Sequence, residues 1–460
     1  MNFKFFGTHV HVPFLILAIC ESAALWVGAT AAILLLKVDA NLTDTWHGPA
    51  TFAVLSLIAM FAMGMFSRRL RERTAGELLR LLFAVIAGVI ATALLSRLVG
   101  NHVLPVYLYF VAAAMGFVLA ALVRIALGRV INEDVFRRNV LVYGSGARAQ
   151  SLAGLRRRAD QRGFRLVGFV RPEGEPVSVE QHRLLTVSDT LLNLAYRHDI
   201  DEIVVAMEDR RKNFPVAQLL ECRLAGVEIT EVVTFFERET GKVRLDVLHP
   251  SWLIFSEGFR QDHVRRLSQR VFDLIFGCLF LVFLWPFMLL VALAIKVEDG
   301  PGAPVLYRQR RVGLLGKPFE VLKFRSMHTD AERDGAPRWA SEGDSRITRV
   351  GAFIRKVRLD ELPQILNVIR GDMSFVGPRP ERPEFVSQLE NTIPYYRERH
   401  WVKPGITGWA QLCYSYGSSE RDAFEKLQYD LYYVKNHTLL FDLVILLQTV
   451  EVILMGKGAR

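Results

Sequence analysis

The stretch RVFDLIFGCLFLVFLWPFMLLVALAIKVEDG, residues 270–300, combines a long apolar run with a proline near its middle. The run from Val271 to Ile295 is longer than the ~20 residues that an α-helix needs to cross the hydrocarbon core of a bilayer. Pro286 lacks a backbone N–H and its ring clashes with the preceding turn, which makes it a natural bend point. The stretch therefore predicts a membrane helix that bends at Pro286.

Positive charge stands on both sides of this run. The basic residues that flank it are Arg265, Arg266 and Arg270 before it, and Lys296, Arg308, Arg310, Arg311 and Lys317 after it. Lys and Arg favour the cytoplasmic side of a membrane, and no apolar segment before about Leu439 would bring the chain back. We therefore predict a re-entrant helix over residues 268–297, which enters the bilayer, turns near Pro286 and leaves on the same face. A spanning helix with a proline kink is the alternative.

Residues 1–130 predict four transmembrane helices. Apolar stretches of roughly span length lie at Val12 to Leu36, Ala50 to Phe66, Leu79 to Val99 and Pro105 to Leu127. The connection from Ser67 to Arg80 is rich in arginine and the other two connections are not, so the positive-inside rule places it in the cytoplasm. Four buried helices of a soluble bundle are the alternative, but such helices should show polar stripes.

Residues 131–260 change to an α/β pattern. The strand-like NVLVYG, from Asn139, runs into Gly144-Ser145-Gly146, and FRLVGFV and DEIVVAM follow as further strands. Glycines in the first turn of a βαβ unit let a phosphate approach the backbone at a helix N-terminus, so Gly144 and Gly146 are candidates for a nucleotide loop. NAD is poorly matched, because Arg171 stands where a ribose-binding acid belongs. We predict a cytoplasmic Rossmann-like domain of the CoA- or nucleotide-binding kind, with a structural or regulatory role.

The segment RKVRLDELPQILNVIRGDMSFVGPRPERPE, residues 355–384, holds the densest set of candidate catalytic residues. Asp360 and Glu361 are followed by Pro363, a residue favoured in the first turn of a helix. The helix dipole favours ionised carboxylates at this position, where they can act as nucleophiles or hold a magnesium ion. The pair alone would equally fit a helix cap.

Basic residues accompany the two acids. Arg355 and Arg379 lie in the same segment, and KFRSM supplies Lys323 and Arg325. Guanidinium groups bind phosphate oxygens in pairs, so carboxylates among arginines suit phosphoryl transfer. Contact between these arginines and lipid headgroups is the alternative.

Four blocks in this order resemble the monotopic phosphoglycosyl transferases of the bacterial sugar transferase family. The blocks are residues 270–300, RQRRVGLLGKPFEVLKFRSM at 308–327, RLDELPQILNVIRGDMSFVGPRP at 358–380 and KPGITGWAQ at 403–411. The resemblance covers about residues 261–460, a catalytic domain with the re-entrant helix. The four spans and the Rossmann-like domain ahead of it resemble the large members, which initiate exopolysaccharide or O-antigen synthesis. Smaller members often have serine before the helix proline, whereas this chain has Trp285.

The resemblance implies a ping-pong mechanism. Asp360 would attack the β-phosphorus of a UDP-sugar and release UMP, and a polyprenyl phosphate, usually undecaprenyl phosphate, would then take the sugar phosphate. Glu361 would help to bind Mg²⁺ or assist the second step. Lys323, Arg325, Arg355 and Arg379 fall on positions that would hold phosphates, and Asp430 is a further candidate at the edge of the site.

The net charge of +10 and the hydrophobic share of 51% fit a membrane protein that meets anionic lipids and phosphorylated substrates. No basic patch interleaved with aromatics predicts a nucleic-acid partner. We predict an enzyme of the bacterial inner membrane with its soluble domains in the cytoplasm, and with a homodimer among the assemblies left open. The sequence does not identify the sugar.

Two other functions would fit part of the sequence. A membrane-bound nucleotide-sugar dehydratase or epimerase would need a second NAD fingerprint and a Tyr-x-x-x-Lys pair, and no lysine here has a tyrosine four residues before it. A non-enzymatic scaffold of polysaccharide assembly does not explain the block around Asp360. The last apolar segment, Leu439 to Leu454, carries acids and predicts either an amphipathic helix on the membrane surface or a core helix of the catalytic domain.

Overall fold

The structure is a computed structural model. It describes residues 2–5, 8–36, 47–63, 65–66, 74–98, 106–130, 137–154, 163–187, 189–209, 213–248, 250–256, 258–259, 263–328, 346–414, 417 and 419–454. The chain divides into two compact units, residues 1–255 and 256–460.

The first unit begins with a hairpin and four helices. Their bounds are β1 (Asn2–Phe5), β2 (Thr8–His11), α1 (Val12–Leu35), α2 (His47–Ala62), α3 (Thr74–Leu98) and α4 (Val106–Val130). Three of these helices are long and apolar enough to cross a membrane, at Leu15–Leu35, Gly76–Leu98 and Tyr107–Leu127. Helix α2 is shorter, because its 16 described residues rise about 24 Å at 1.5 Å per residue, and the second predicted span stays a prediction. The first part of the predicted arginine-rich connection, residues 67–73, lies outside the described residues.

An ion cluster joins three of the four helices at one end. Arg124 of α4 forms a bidentate pair with the buried Glu21 of α1, at 2.6 and 2.9 Å, and lies 3.6 Å from Glu77 in the first turn of α3. Helices α1 and α4 pack closely, because a Cβ atom on Gly28 would lie 2.6 Å from the backbone nitrogen of Gly116. Small residues at such contacts are typical of membrane helix packing.

A five-stranded parallel sheet forms the rest of the first unit, in the order β5-β4-β3-β6-β7. The strands are β3 (Arg138–Tyr143), β4 (Phe164–Val170), β5 (Leu184–Leu185), β6 (Glu202–Val205) and β7 (Glu228–Glu231). The helices of this part are α5 (Ala147–Ala153), α6 (Leu191–Arg197), α7 (Val216–Leu224), α8 (Val232–Thr240) and α9 (Pro250–Phe255). The predicted mixed region of helices and parallel strands is confirmed.

The second unit opens with α10 (His263–Asp299), a helix of 37 residues that contains Pro286. It is long and apolar enough to cross a membrane. Its buried residues lie in two separate stretches, one with Asp273 and Gly277 and the other with Val291 and Ile295.

The remaining elements of this unit form a small mixed domain. They are β8 (Leu306–Val312), β9 (Pro318–Phe324), α11 (Arg349–Lys356), α12 (Gln364–Arg370), β10 (Ser374–Val376), α13 (Pro383–Thr392), β11 (Gly405–Thr407), α14 (Trp409–Cys413), α15 (Glu420–Asn436) and α16 (Leu439–Leu454). Strands β8 and β9 form an antiparallel hairpin, and β10 pairs with β11 in parallel.

Helix α16 packs one face onto this domain. Phe441 and Ile445 are buried, and Asp442 accepts a hydrogen bond of 2.7 Å from the hydroxyl of Tyr433. Burial raises the pKa of Asp442 to about 7, which the Tyr433 hydrogen bond only partly offsets. Other apolar side chains of the helix, such as Leu443 and Val450, stay exposed. One face of α16 therefore packs on this domain, as the core-helix placement predicts, and its exposed apolar side chains also fit the placement on a membrane surface.

Candidate active site

Asp360 and Glu361 lie in a short 3-10 turn, Leu359–Glu361, immediately before α12. The residue ahead of the turn, Arg358, has φ 60°, in the left-handed region. A non-glycine residue costs about 1–3 kcal/mol in such a conformation and persists only where the surroundings enforce it. Pro363 follows at the helix N-cap, so the turn presents both acids from a rigid corner of the backbone.

Glu361 is held between two cations. Lys323 Nζ and Arg379 Nη2 both donate to Glu361 Oε1, each at 2.9 Å. Burial opposes ionisation of this carboxyl, but the positive charges of Arg379 and Lys323 outweigh it and hold the pKa of Glu361 well below its usual range. Glu361 is therefore an ionised, weakly basic group that holds the side chains of Lys323 and Arg379 in place.

Asp360 has the opposite electrostatic setting. Burial raises its pKa, and the negative charge of Glu361 raises it further. The positive charges of Lys323, Arg355 and Arg358 work in the other direction without cancelling the rise. Asp360 is thus the more basic of the two adjacent carboxylates. Environments that push neighbouring pKa values apart are typical of catalytic pairs.

The buried side chain of Asn367 fixes the distance between the turn and Lys323. From α12 its Oδ1 accepts from the backbone N–H of Leu322 at 2.9 Å, and its Nδ2 donates to the carbonyl of Glu320 at 2.7 Å. Both partners lie on β9 beside Lys323. The pattern of α12 does not single out Asn367, because Gln364 is a second buried amide on the same helix.

Two predicted site residues make their contacts elsewhere. Arg325 Nη2 donates to Asp299 at the end of α10, at 2.6 Å, and this guanidinium is buried. Asp430 pairs with Arg399 at 2.8 Å. Within the described residues, Arg325 and Asp430 make no contact to Glu361, whereas Lys323 and Arg379 do.

Arg399, which sequence reasoning missed, links Asp430 to the Arg379 loop. Its Nη2 donates to the main-chain carbonyl of Arg379 at 3.0 Å, and its Nη1 donates to the hydroxyl of Tyr396 at 2.8 Å. Arg399 therefore connects Asp430 to Arg379, the residue whose side chain donates to Glu361.

The amide groups of the glycine loop in the first unit bind carboxylates of the chain itself. Ser145 N donates to Glu175 at 2.8 Å, and Arg148 N donates to Glu208 at 2.9 Å. A Cβ atom on Gly146 would lie 2.6 Å from the Glu208 side chain, and one on Gly144, whose φ is +148°, 2.6 Å from a backbone carbonyl of the neighbouring strand. Both glycines are explained by close packing within the domain.

Comparison with known proteins shows where this chain belongs. A family model described as bacterial sugar transferase matches residues 264–456, and one described as CoA-binding domain matches residues 61–221. The acids, cations and membrane helix of the second unit all lie in the first match, so the fold and site define a membrane-bound sugar-phosphate transferase class.

Individual relatives extend the similarity to most of the chain. The chain is 31% identical to the UDP-glucose:undecaprenyl-phosphate glucose-1-phosphate transferase of Xanthomonas campestris, over 90% of this chain and 89% of that protein. It is 34% identical to the transferase of the same name from Escherichia coli, over 76% of this chain and 75% of that protein. A UDP-N-acetylgalactosamine-undecaprenyl-phosphate N-acetylgalactosaminephosphotransferase of Aeromonas hydrophila is 41% identical over 53% of this chain and 56% of its own length. The chain belongs to the bacterial sugar transferase family.

A CoA or dinucleotide ligand does not fit the glycine loop of this chain. A pyrophosphate binds such a loop through free backbone N–H groups, and here the amides of Ser145 and Arg148 already bind Glu175 and Glu208. Two carboxylates at that position would also repel an anion. No step of the reaction is assigned to this loop.

Proposed function

We propose that this chain transfers a sugar 1-phosphate from a UDP-sugar to undecaprenyl phosphate, giving undecaprenyl diphosphate sugar and UMP. The chain is an enzyme of a family whose relatives carry this activity in their names. The observation that carries the proposal is the pair of acids immediately before α12. The pKa of Asp360 is raised, and Glu361 accepts hydrogen bonds from Lys323 and Arg379.

The reaction proceeds in two displacements at one phosphorus. A carboxylate oxygen of Asp360 attacks the β-phosphorus of the UDP-sugar, and the bond from that phosphorus to the bridging oxygen breaks, so UMP leaves. A phosphate oxygen of undecaprenyl phosphate then attacks the same phosphorus and frees the Asp360 carboxylate. The raised pKa of Asp360 supports its role as nucleophile, because basicity and nucleophilicity rise together within one class of group.

Lys323 and Arg379 are the groups that bind the phosphates. Their shared partner, Glu361, holds them beside Asp360 before substrate arrives, and such preorganised charge is usually a large part of phosphoryl-transfer catalysis. Arg355 adds positive charge near Asp360. Glu361 itself is a poor nucleophile, since its pKa is lowered and its Oε1 is engaged twice.

Magnesium fits the donor set of this site. The described residues contain no group of three or more His, Cys, Asp or Glu side chains that would form a metal cage. Magnesium, however, is usually held by one or two carboxylates together with substrate phosphates. Asp360 and Glu361 would supply those carboxylates, and the ion would neutralise charge on the transferred phosphoryl group.

The contacts of α10 support a re-entrant helix. Near its start, Arg270 donates to the carbonyls of Val368 and Ile369 on α12, at 2.7 and 2.5 Å. Near its end, Ile295 packs with Phe324 of β9. Because β9 and α12 contact each other through Asn367, the two ends of α10 contact one and the same small domain. The ends of a straight spanning helix would instead be separated by the ~30 Å hydrocarbon core.

The exposed middle of α10 supports the same topology. Side chains from Val282 to Phe287 that point outward, including Phe283 and Trp285, are large and apolar, and no buried side chain lies between Gly277 and Val291. We propose that this middle part dips into the bilayer and turns at Pro286, with both ends and the catalytic domain in the cytoplasm. Asp360 then meets soluble UDP-sugars and lipid phosphates at the same interface of the inner membrane.

The decisive experiment measures the nucleotide released. The full chain in detergent or membranes is incubated with undecaprenyl phosphate, magnesium and UDP-glucose or UDP-N-acetylgalactosamine. We expect UMP; release of UDP would identify an ordinary glycosyltransferase and refute the proposal. Turnover of the UDP-sugar without acceptor into a modified UDP-sugar would instead support the dehydratase or epimerase alternative.

The covalent step has a test of its own. Without undecaprenyl phosphate, a ping-pong enzyme should release a burst of UMP equal to the amount of enzyme and gain the mass of a hexose phosphate. We expect Asp360→Asn to lose the burst and the turnover. The matched control is Asp372→Asn, an exposed acid just after the same helix, which should keep both. UMP release that depends strictly on acceptor would refute the intermediate.

A further inference from the structure

A pocket of about 180 Å³ lies between α13, the 3-10 segment Tyr396–Trp401 and α15. Its walls include Glu381, Phe385 and Gln388, and its floor includes Tyr396, Arg399 and Asp430. None of these residues makes a contact to Asp360 or Glu361 among the described residues, so the pocket is distinct from the catalytic turn.

The floor of the pocket is a built polar site. Arg399 is 5% exposed and Asp430 2% exposed, and their side chains pair at 2.8 Å. Burial raises the pKa of Asp430, although the positive charge of Arg399 limits the rise. Arg399 Nε is buried and has no hydrogen-bond partner among the described residues. A buried guanidinium nitrogen without a partner costs free energy, so the charged pair in the floor is incompletely satisfied by the described residues.

The pocket is tied to the catalytic turn through a single residue. The carbonyl of Arg379 accepts from Arg399 in the pocket floor at 3.0 Å, and the guanidinium of the same Arg379 donates to Glu361 at 2.9 Å. Arg379 thus contacts the floor of the pocket through its backbone and the catalytic turn through its side chain.

The lining chemistry selects among the parts of a UDP-sugar. The carboxylates of Glu381 and Asp430 share the lining with the cations of Arg399 and Lys426, and such a charged floor would not hold a polyprenyl chain. Hydroxyl groups donate to carboxylates and accept from guanidinium nitrogens, and the rings of Phe385 and Tyr396 suit the apolar face of a pyranose. Uracil, with one N–H donor and two carbonyls, matches two carboxylates less well.

We infer that this pocket binds the hexose ring of the UDP-sugar donor and thereby sets which sugar is transferred. The inference rests on the proposed function. In a two-step mechanism the hexose stays attached through both displacements while UMP leaves, so it needs a binding site that the departing nucleotide does not occupy. Ribose in the nucleotide carries similar hydroxyl chemistry, and the test below distinguishes the two rings.

The test compares two pocket variants with a surface control. Gln388→Ala removes an exposed amide from the wall, and Ala423→Leu adds bulk at a residue that also lines the pocket. The control, Asn391→Ala, changes an exposed residue of the same helix that does not line it. For each full-length protein, kcat/KM is measured with UDP-glucose and UDP-N-acetylgalactosamine, and UMP is titrated as a product inhibitor.

We expect both pocket variants to lower kcat/KM for the preferred donor about ten-fold or more and to change the ratio between the two donors. The inhibition constant of UMP should stay within about two-fold, since UMP lacks the hexose. A parallel weakening of UMP would assign the pocket to the ribose or uracil and overturn the inference. Unchanged values for donors and UMP would overturn it as well. Failure of the proposed function is separate, because the unmodified protein would then release no UMP from any donor.

Discussion

Replacing Lys323 by methionine isolates the charge that the site depends on most directly. Methionine keeps most of the length and apolar stem of lysine and removes only the ammonium group. Glu361 would retain Arg379 and lose one of the two donors on its Oε1. Asp360 would lose one of the three positive charges that limit the rise of its pKa.

The size of the effect follows from the Lys323–Glu361 contact. The two side chains meet at 2.9 Å and are only 20% and 13% exposed, so water screens them little. A hydrogen bond between charged groups contributes about 1.5–3 kcal/mol. Since 1.36 kcal/mol corresponds to a factor of ten in rate, we expect kcat/KM to fall about 10- to 150-fold if the interaction is passed to the substrate phosphates.

The pH profile separates this electrostatic role from a structural one. Asp360 must be ionised to attack, so activity is lost as the pH falls through its pKa in the folded protein. Without Lys323 that pKa rises, and the acid limb of the kcat/KM profile for UMP release should move to higher pH. Lys323→Arg should keep the profile, and Lys356→Met, at an exposed lysine, should change neither rate nor profile. A Lys323→Met protein with an unmoved acid limb and activity within about two-fold would refute the reasoning.

Three further predictions concern the framework. Asn367→Ala should lower stability by about 2–5 kcal/mol, because it leaves the N–H of Leu322 and a carbonyl of β9 without partners; thermal unfolding in detergent measures it, and an unchanged midpoint would contradict it. Arg124→Leu should destabilise the protein by about 3–5 kcal/mol, because it leaves Glu21 buried and unpaired. Combining it with Glu21→Leu should restore most of the lost stability. An equal loss in the single and the double variant would show that the unpaired charge is not the cause. A cysteine at Gly302, where a side chain meets open space, should escape an impermeant maleimide applied from outside until the membrane is permeabilised; ready labelling of intact cells would mean that α10 crosses.

The membrane helices were the part of the fold that the sequence predicted best, because hydropathy is a local property. The exception is α2, which ends at Ala62 although the apolar run continues to Phe66. Hydropathy reports only which residues are apolar, whereas the length of a helix also depends on continued backbone hydrogen bonding. The helix ends at Ala62, so the apolar run is longer than the helix. Local patterns for β3, β4 and β6 likewise matched the observed strands.

Contacts between distant segments were beyond the reach of pattern alone. Lys323 reaches Glu361 from 38 residues away, and no local pattern around Lys323 predicts that contact. Arg325 stands two positions further along the chain, directly after the end of β9. Nothing in the local sequence distinguishes it from Lys323, yet its guanidinium pairs with Asp299. In YYRERHW, Arg399 is one of two arginines, and only the fold buries it against Asp430.

The glycine loop shows why a motif needs its surroundings. Gly144 and Gly146 follow a strand and precede a helix, the local arrangement that binds phosphate in many proteins. The groups that bind the loop amides are carboxylates from 30 and 60 residues further along the chain, Glu175 and Glu208. These carboxylates accept hydrogen bonds from the N–H groups at the start of α5, which a nucleotide phosphate would otherwise bind. The two glycines allow the close packing of the loop within the domain. The same local sequence pattern thus occurs here with its amides bound by side chains of the domain itself. At the proposed catalytic turn the arrangement is different, because Lys323 and Arg379 share one carboxylate partner, Glu361, beside Asp360.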